Sequence, residues 1–181
     1  MAKYGKIAGQ ILELLATGSL LGFSRDKRVR RGLLNEADKI WYSIDRKALN
    51  YILHRFKLQN YIESIKDAGN IEKIRLTNRG RARTLAYHLN NLKLPVKKKW
   101  DKKWRFILFD IPEPKKKIRD ALRRKLKQLG FLEFQKSVFI YPYPCNEEIN
   151  FILNFYNIPE HVYYIEAPIT PDVNFRNHFK L

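Results

Sequence analysis

Residues 3–16 carry Ile7, Ile11, Leu14 and Leu15 at helical spacing, and Thr17-Gly18 ends the run, which predicts an amphipathic helix. A second, basic helix is expected over Lys27–Ile40. Ser43 stands where it can cap a third, whose apolar face is Leu49, Ile52, Leu53 and Phe56. Arg46, Lys47, Asn50, Tyr51 and His54 fall on the opposite face of that segment, Asp45–Lys57. The period then shortens to that of strands in Tyr61–Lys66 and Ile71–Leu76, joined by the turn residues Asp67-Ala68-Gly69-Asn70. In Leu76-Thr77-Asn78-Arg79-Gly80, Thr77 is placed to cap a further helix running to about His88.

Beyond a polar stretch with Pro95 and Lys97-Lys98-Lys99 the pattern changes again. Trp104–Ile111 reads as a buried strand stopped by Pro112-Glu113-Pro114. An amphipathic helix follows over Lys115–Leu129, with Ile118, Ala121, Leu122, Leu126 and Leu129 inward and Gly130 closing it. Phe131–Phe134 and Ser137–Tyr141 are short strands. Asn146 is placed to cap a helix carrying Ile149, Ile152, Leu153 and Tyr156 inward, and Val162–Glu166 is the last strand. The expected fold class is α+β. A winged helix-turn-helix domain (1–92) precedes a basic linker (93–103), which is not expected to pack. A ferredoxin-like βαββαβ domain (104–167) and a short tail (168–181) complete the chain.

Charge narrows the functional classes. The chain of 181 residues has 36 Lys/Arg against 18 Asp/Glu, a net +18. The excess lies in residues 1–137, while 138–181 hold only Arg176 and Lys180 against five acids. Such a field repels itself and points to a polyanionic partner. One cysteine, Cys145, excludes an intramolecular disulfide and fits a reducing, cytoplasmic setting. The apolar run Ile11–Phe23 is too short and too interrupted to span a bilayer, so no membrane partner is expected.

The helix over Asp45–Lys57 is the candidate reader of a DNA major groove. Arg46 suits a guanine edge, Asn50 an adenine edge, and Lys47, Tyr51 and His54 share their face. Arg28, Arg30, Arg31, Lys73 and Arg75 are assigned to phosphates, which fix register without reading sequence. Lys115, Lys116 and Lys117 stand at a helix start, where like charge opposes the macrodipole, so they are assigned to phosphate as well. Phe106, Phe139 and Tyr141 suit either base stacking, as in an RNA-recognition motif, or an aromatic core.

Two resemblances sharpen this reading. The capped helix, hairpin and Leu-Thr-x-x-Gly step look like the amino-terminal half of many bacterial regulators. Phe109-Asp110-Ile111-Pro112, Gly130-Phe131 and Gln135-Lys136-Ser137-Val138-Phe139 resemble the Cas-two protein, the small ferredoxin-like subunit of CRISPR adaptation complexes. In that family the aspartate ending the first strand is paired across a dimer and assigned to a divalent metal, a role that maps here onto Asp110 alone. The whole arrangement, with Lys103-Trp104, Arg119-Asp120, Arg123, Leu129-Gly130-Phe131 and Pro142, resembles the PaaX family of transcriptional repressors over residues 1 to about 167.

The expectation is therefore a sequence-specific, double-stranded DNA-binding regulator, a repressor acting as a homodimer, with no cofactor and no catalytic residue assigned. A different class stands beside it: a metal-dependent nuclease or integration-complex subunit using magnesium at Asp110. A structural nucleoid or RNA-binding protein is the third reading. The sequence names neither an operator nor a small-molecule effector.

Overall fold

The computed structural model describes residues 2–16, 21–23, 44–66, 72–95 and 99–181, in two compact units that divide after Asn90. The first unit holds α1 (Ala2–Ala16), β1 (Leu21–Phe23), α2 (Arg46–Leu58), β2 (Ile62–Lys66), β3 (Glu72–Leu76) and α3 (Asn78–Asn91, which reaches the boundary). Its strands form an antiparallel sheet in the order β1-β3-β2. Ile11, Leu12 and Leu15 of α1 meet Leu49, Ile52, Leu53 and Phe56 of α2 over Ile62, Ile74 and Leu76 of the sheet, a single apolar core. Each such side chain fully withdrawn from water contributes about 1.5–3 kcal/mol. The basic helix expected over Lys27–Ile40 and the turn Asp67–Asn70 lie outside the described residues.

Two local devices set the ends of α2 and α3. Asp45, not Ser43, caps α2: its Oδ2 accepts from the Ala48 N–H at 2.9 Å. A carboxylate satisfies the orphan donor as a serine hydroxyl would and adds negative charge at the positive end of the helix. Ser43 itself lies outside the described residues. Thr77 caps α3 as expected, accepting from Gly80 N–H at 3.0 Å while its hydroxyl donates to the Asn60 carbonyl at 2.6 Å. Gly80 is required by contact: a Cβ there would lie 2.0 Å from the Tyr61 carbonyl oxygen. The Thr-x-x-Gly step thus locks α3 to the segment that leads into β2.

The second unit runs β4 (Trp104–Phe109), α4 (Lys116–Gln128), β5 (Leu132–Gln135), β6 (Val138–Tyr141), α5 (Asn146–Tyr156), β7 (Val162–Ala167) and α6 (Val173–Phe179). The sheet order β5-β6-β4-β7, antiparallel throughout, is that of a βαββαβ ferredoxin-like domain. Glu133, opposite Phe139 in the register, meets Arg123 and Lys127, and so places α4 on the face of Ile107, Phe109 and Phe139. Tyr164, opposite Ile107, reaches the start of α5 from that same face, its Oη accepting from Cys145 N–H at 3.4 Å. Cys145 holds the N-cap position of α5, and Asn146 is the first helical residue rather than the cap. Glu147 and Glu148 in the first turn supply the charge complement.

The other face of the sheet is shielded only in part. Phe175 of α6 packs edge-on against Trp104 and Phe134, with ring centroids 5.4 and 5.5 Å apart. Phe106, Leu108, Val138, Tyr163 and Ile165 share that face by register, and Tyr163 and Ile165 stay 64% and 45% exposed. The stretch before β4 does pack, contrary to the polar linker expected. Trp100 lies 4.8 Å from Trp104 and under the Arg176 guanidinium, and Asp101 binds Arg105. Its two aromatic and acidic side chains have partners waiting on β4 and α6, which charge composition does not reveal.

Candidate nucleic-acid interface

The face of α2 turned away from the core presents Arg46, Lys47, Asn50 and His54, all exposed. Burial of Ala48, Leu49, Ile52, Leu53 and Phe56 fixes this orientation, because the 3.6-residue period leaves those four on the outer side. Among the described residues none of the four has a carboxylate within ion-pair distance, so their donors face water. Tyr51 stands on the flank of the helix, where the Arg55 guanidinium lies 5.9 Å from its ring centroid. Arg55 and Lys57 add further positive charge near the carboxy end of α2, where it complements the helix dipole.

The phosphate candidates separate into distinct situations. Arg28, Arg30 and Arg31 lie outside the described residues. Lys73 is the second residue of β3, the middle strand of the sheet, opposite both Gly22 and Ile65. Arg75 is paired across the hairpin with Glu63, Nε to Oε1 2.5 Å, so its charge is partly compensated. An exposed pair of this kind is worth little and exchanges readily for another anion.

In the second unit, glutamates thread the basic run. Lys115 Nζ lies 3.1 Å from Glu160 Oε1 and 3.0 Å from His161 Nε2. Glu113 takes both Lys116, at 3.6 Å, and Arg119, at 2.8 Å, and these cations hold its carboxyl below the usual carboxylate range. Glu133 is lowered in the same way by Lys127 and Arg123. Lys117 has no such partner among the described residues. Sequence reading weighed the three lysines alike, because the acids that answer two of them are distant in sequence or already counted within the basic run. Lys125 went unnoticed: it is buried on α4, and burial pulls its ammonium below the usual lysine range.

Asp110 is exposed immediately after β4, and its N–H donates to the His161 carbonyl at 3.0 Å. The groups on that side of the strand end are Lys115, Glu160 and His161, already engaged with one another. Among the described residues no group of three or more His, Cys, Asp or Glu side chains is placed to hold a metal ion. A lone carboxylate supplies only part of a magnesium coordination shell from this chain. Cys145 is buried, and burial pushes its thiol up to about 12, so it is a packing residue rather than a nucleophile. Phe139 and Tyr141 are buried beneath the helices, and Phe106, opposite Ile140, points to the other face, so the three do not form a stacking platform. Strand alternation separates them. Among the described residues no helix is long and apolar enough to cross a membrane.

Comparison with known proteins bears on the second unit. Residues 97–176 match the family described as the PaaX protein central Cas2-like domain. No curated protein matches the chain. Among solved structures, the uncharacterized protein Rv0674 from Mycobacterium tuberculosis is similar, with a TM-score of 0.37 and 17% identity over 76% of this chain. The match covers 53% of that protein, so this chain spans about half its length. The similarity to the PaaX protein central Cas2-like domain thus falls within the second unit of this chain.

Proposed function

We propose that the protein is a sequence-specific, double-stranded DNA-binding transcriptional regulator, a repressor of the PaaX type working in the cytoplasm as a homodimer. The observation that carries this reading is the outer face of α2. Arg46, Lys47, Asn50 and His54 stand there exposed on a helix capped at its amino end, beside a three-stranded sheet whose hairpin follows directly. That order, together with the basic segment 27–31, is what a winged helix-turn-helix requires: a helix for the groove and a hairpin for the flanking backbone. The net charge of +18 supplies the sequence-independent attraction. The similarity of residues 97–176 to a PaaX central Cas2-like domain supports a regulator of the PaaX type.

The homodimer rests on the half-covered sheet face of the second unit. Leu108, Val138, Tyr163 and Ile165 form an apolar strip there, and a second copy meeting it two-fold removes it from water. Two groove-reading helices related in this way bind an inverted repeat with half-sites about one helical turn, or a multiple of it, apart. The experiment is a binding selection from random duplexes with the full chain, run with and without magnesium and followed by a check for strand cleavage. An enriched inverted repeat, bound equally without magnesium and left uncut, supports the reading. Enrichment of no motif, or cleavage that needs the metal, contradicts it.

A further inference from the structure

A groove of about 460 Å3 opens on the first unit between α1, α2 and α3. Its floor is the small-residue side of α1. At Gly9 the Tyr87 ring lies where a Cβ would be, within 1.9–2.3 Å of that position, so only glycine lets Tyr87 settle onto the helix. At Gly5, one turn away, nothing stands within 4 Å of the same construction, and the helix surface is left open to the groove. Tyr51, Tyr61 and Tyr87 make aromatic walls, and Arg55 and Arg83 bring guanidinium groups to them. No acidic residue lines the groove. Among the described residues neither of those arginines has a carboxylate within ion-pair distance.

From this composition we infer a binding site for a small apolar monocarboxylate, with its ring or chain over Gly5 and between the tyrosines and its carboxylate on Arg55 and Arg83. The volume lies within the roughly 300–1,000 Å3 of small-molecule sites. The chemistry is complementary at both ends. Tyrosine faces and bare helix backbone favour an apolar body, and a guanidinium presents a planar fork that matches a carboxylate. Arg55 already stacks on Tyr51 at 5.9 Å, which holds its guanidinium at the wall without using its in-plane N–H donors. A ligand here touches the inner flank of the same helix that carries Lys47, Asn50 and His54 outward. The binding itself does not depend on what that outward face recognises.

The experiment is calorimetric titration of the full chain, without DNA, using octanoate and phenylbutyrate as probes and phenylbutyramide as the uncharged control. Saturable one-to-one binding of a carboxylate is expected, with the amide weaker by about tenfold or more, the usual size of a lost charge-assisted pair. Gly5→Leu sends a side chain into the open floor from a Cβ that meets nothing within 4 Å and strengthens the helix, so it abolishes binding while the thermal midpoint holds or rises. Arg83→Gln, at an exposed position, keeps the fold and weakens the carboxylate alone. Absence of saturable heat with either probe overturns the site, as does unchanged binding in Gly5→Leu. Equal affinity for acid and amide overturns the assignment of the arginines.

Discussion

Arg105 is buried to 1% exposure in the first strand of the ferredoxin-like sheet, and both of its terminal nitrogens are held by Asp101, Nη1 to Oδ1 at 2.6 Å and Nη2 to Oδ2 at 2.5 Å. The Lys103 and Pro142 carbonyls accept from Nη1 at 2.8 Å each, and Glu166 stands 3.4 Å from Nη2. A residue of the stretch before β4 thus neutralises a charge in the sheet and ties that stretch to both β4 and β7.

Removing Asp101 leaves Arg105 buried with Glu166 as its remaining carboxylate. Asp101→Asn is expected to lower the stability of this unit at neutral pH by about 1–3 kcal/mol, below the cost of breaking a fully buried pair because the Asp101 side chain is 44% exposed. The hydrogen bonds from Arg105 hold the Asp101 carboxyl at about 2, down from an ordinary 3.8. A group lowered on folding contributes fully above its unfolded value and loses that contribution as pH falls through its folded one. Wild-type urea midpoints should therefore stay level above about pH 5 and fall toward pH 2, with a shallower fall in Asp101→Asn. Parallel curves for the two proteins contradict the pairing.

The Thr77–Gly80 step yields a second expectation. Thr77→Ala removes a cap and the hydroxyl bond to the Asn60 carbonyl, and costs about 1–2 kcal/mol. Gly80→Ala forces a methyl against the Tyr61 carbonyl and costs more, although alanine is the better helix former. Chemical denaturation of the two variants orders them, and a stabilised Gly80→Ala contradicts the close approach.

The glutamates threaded through α4 make the three lysines unequal. If this face lies along DNA, Lys117→Gln should lower the slope of log K against log salt by about 0.9, one phosphate's worth, while Lys115→Gln and Lys116→Gln change it less. Both are already answered, by Glu160 and by Glu113. Equal slopes for the three variants remove Lys117 from the interface.

Asp110→Asn should leave affinity for duplex DNA unchanged, and supercoiled or single-stranded substrates should remain intact in magnesium or manganese with either protein. Metal-dependent cutting that vanishes in the variant, while binding persists, makes Asp110 a ligand and moves the protein into the nuclease class.

Much of this architecture was legible because periodicity survives wherever one face is buried. The apolar positions Leu49, Ile52, Leu53 and Phe56 located α2 and, by difference, its outward residues. The short apolar runs over Trp104–Ile111, Ser137–Tyr141 and Val162–Glu166, set between helical segments, gave the βαββαβ element order of the second unit. Caps were read less well: Asp45 and Ser43 are both good N-cap residues two positions apart, and only the coordinates of Ala48 N–H choose between them. Pairing at a distance was not legible. Nothing local joins Trp100 and Arg176, or Lys115 and Glu160, so the linker read as loose and the lysines as uncompensated. The groove beside α1 was hidden for the same reason, since Gly9 gains its meaning from Tyr87.

Reading of duplex DNA by the outer face of α2 is tested by comparing affinities for a selected duplex and a scrambled one of equal length. Arg46→Ala and Asn50→Ala are each expected to weaken binding to the selected duplex by about 1–3 kcal/mol, relax the preference at one base position, and leave the scrambled duplex nearly unaffected. Wild-type affinity for the selected duplex in both variants, or an equal loss on the two duplexes, contradicts it.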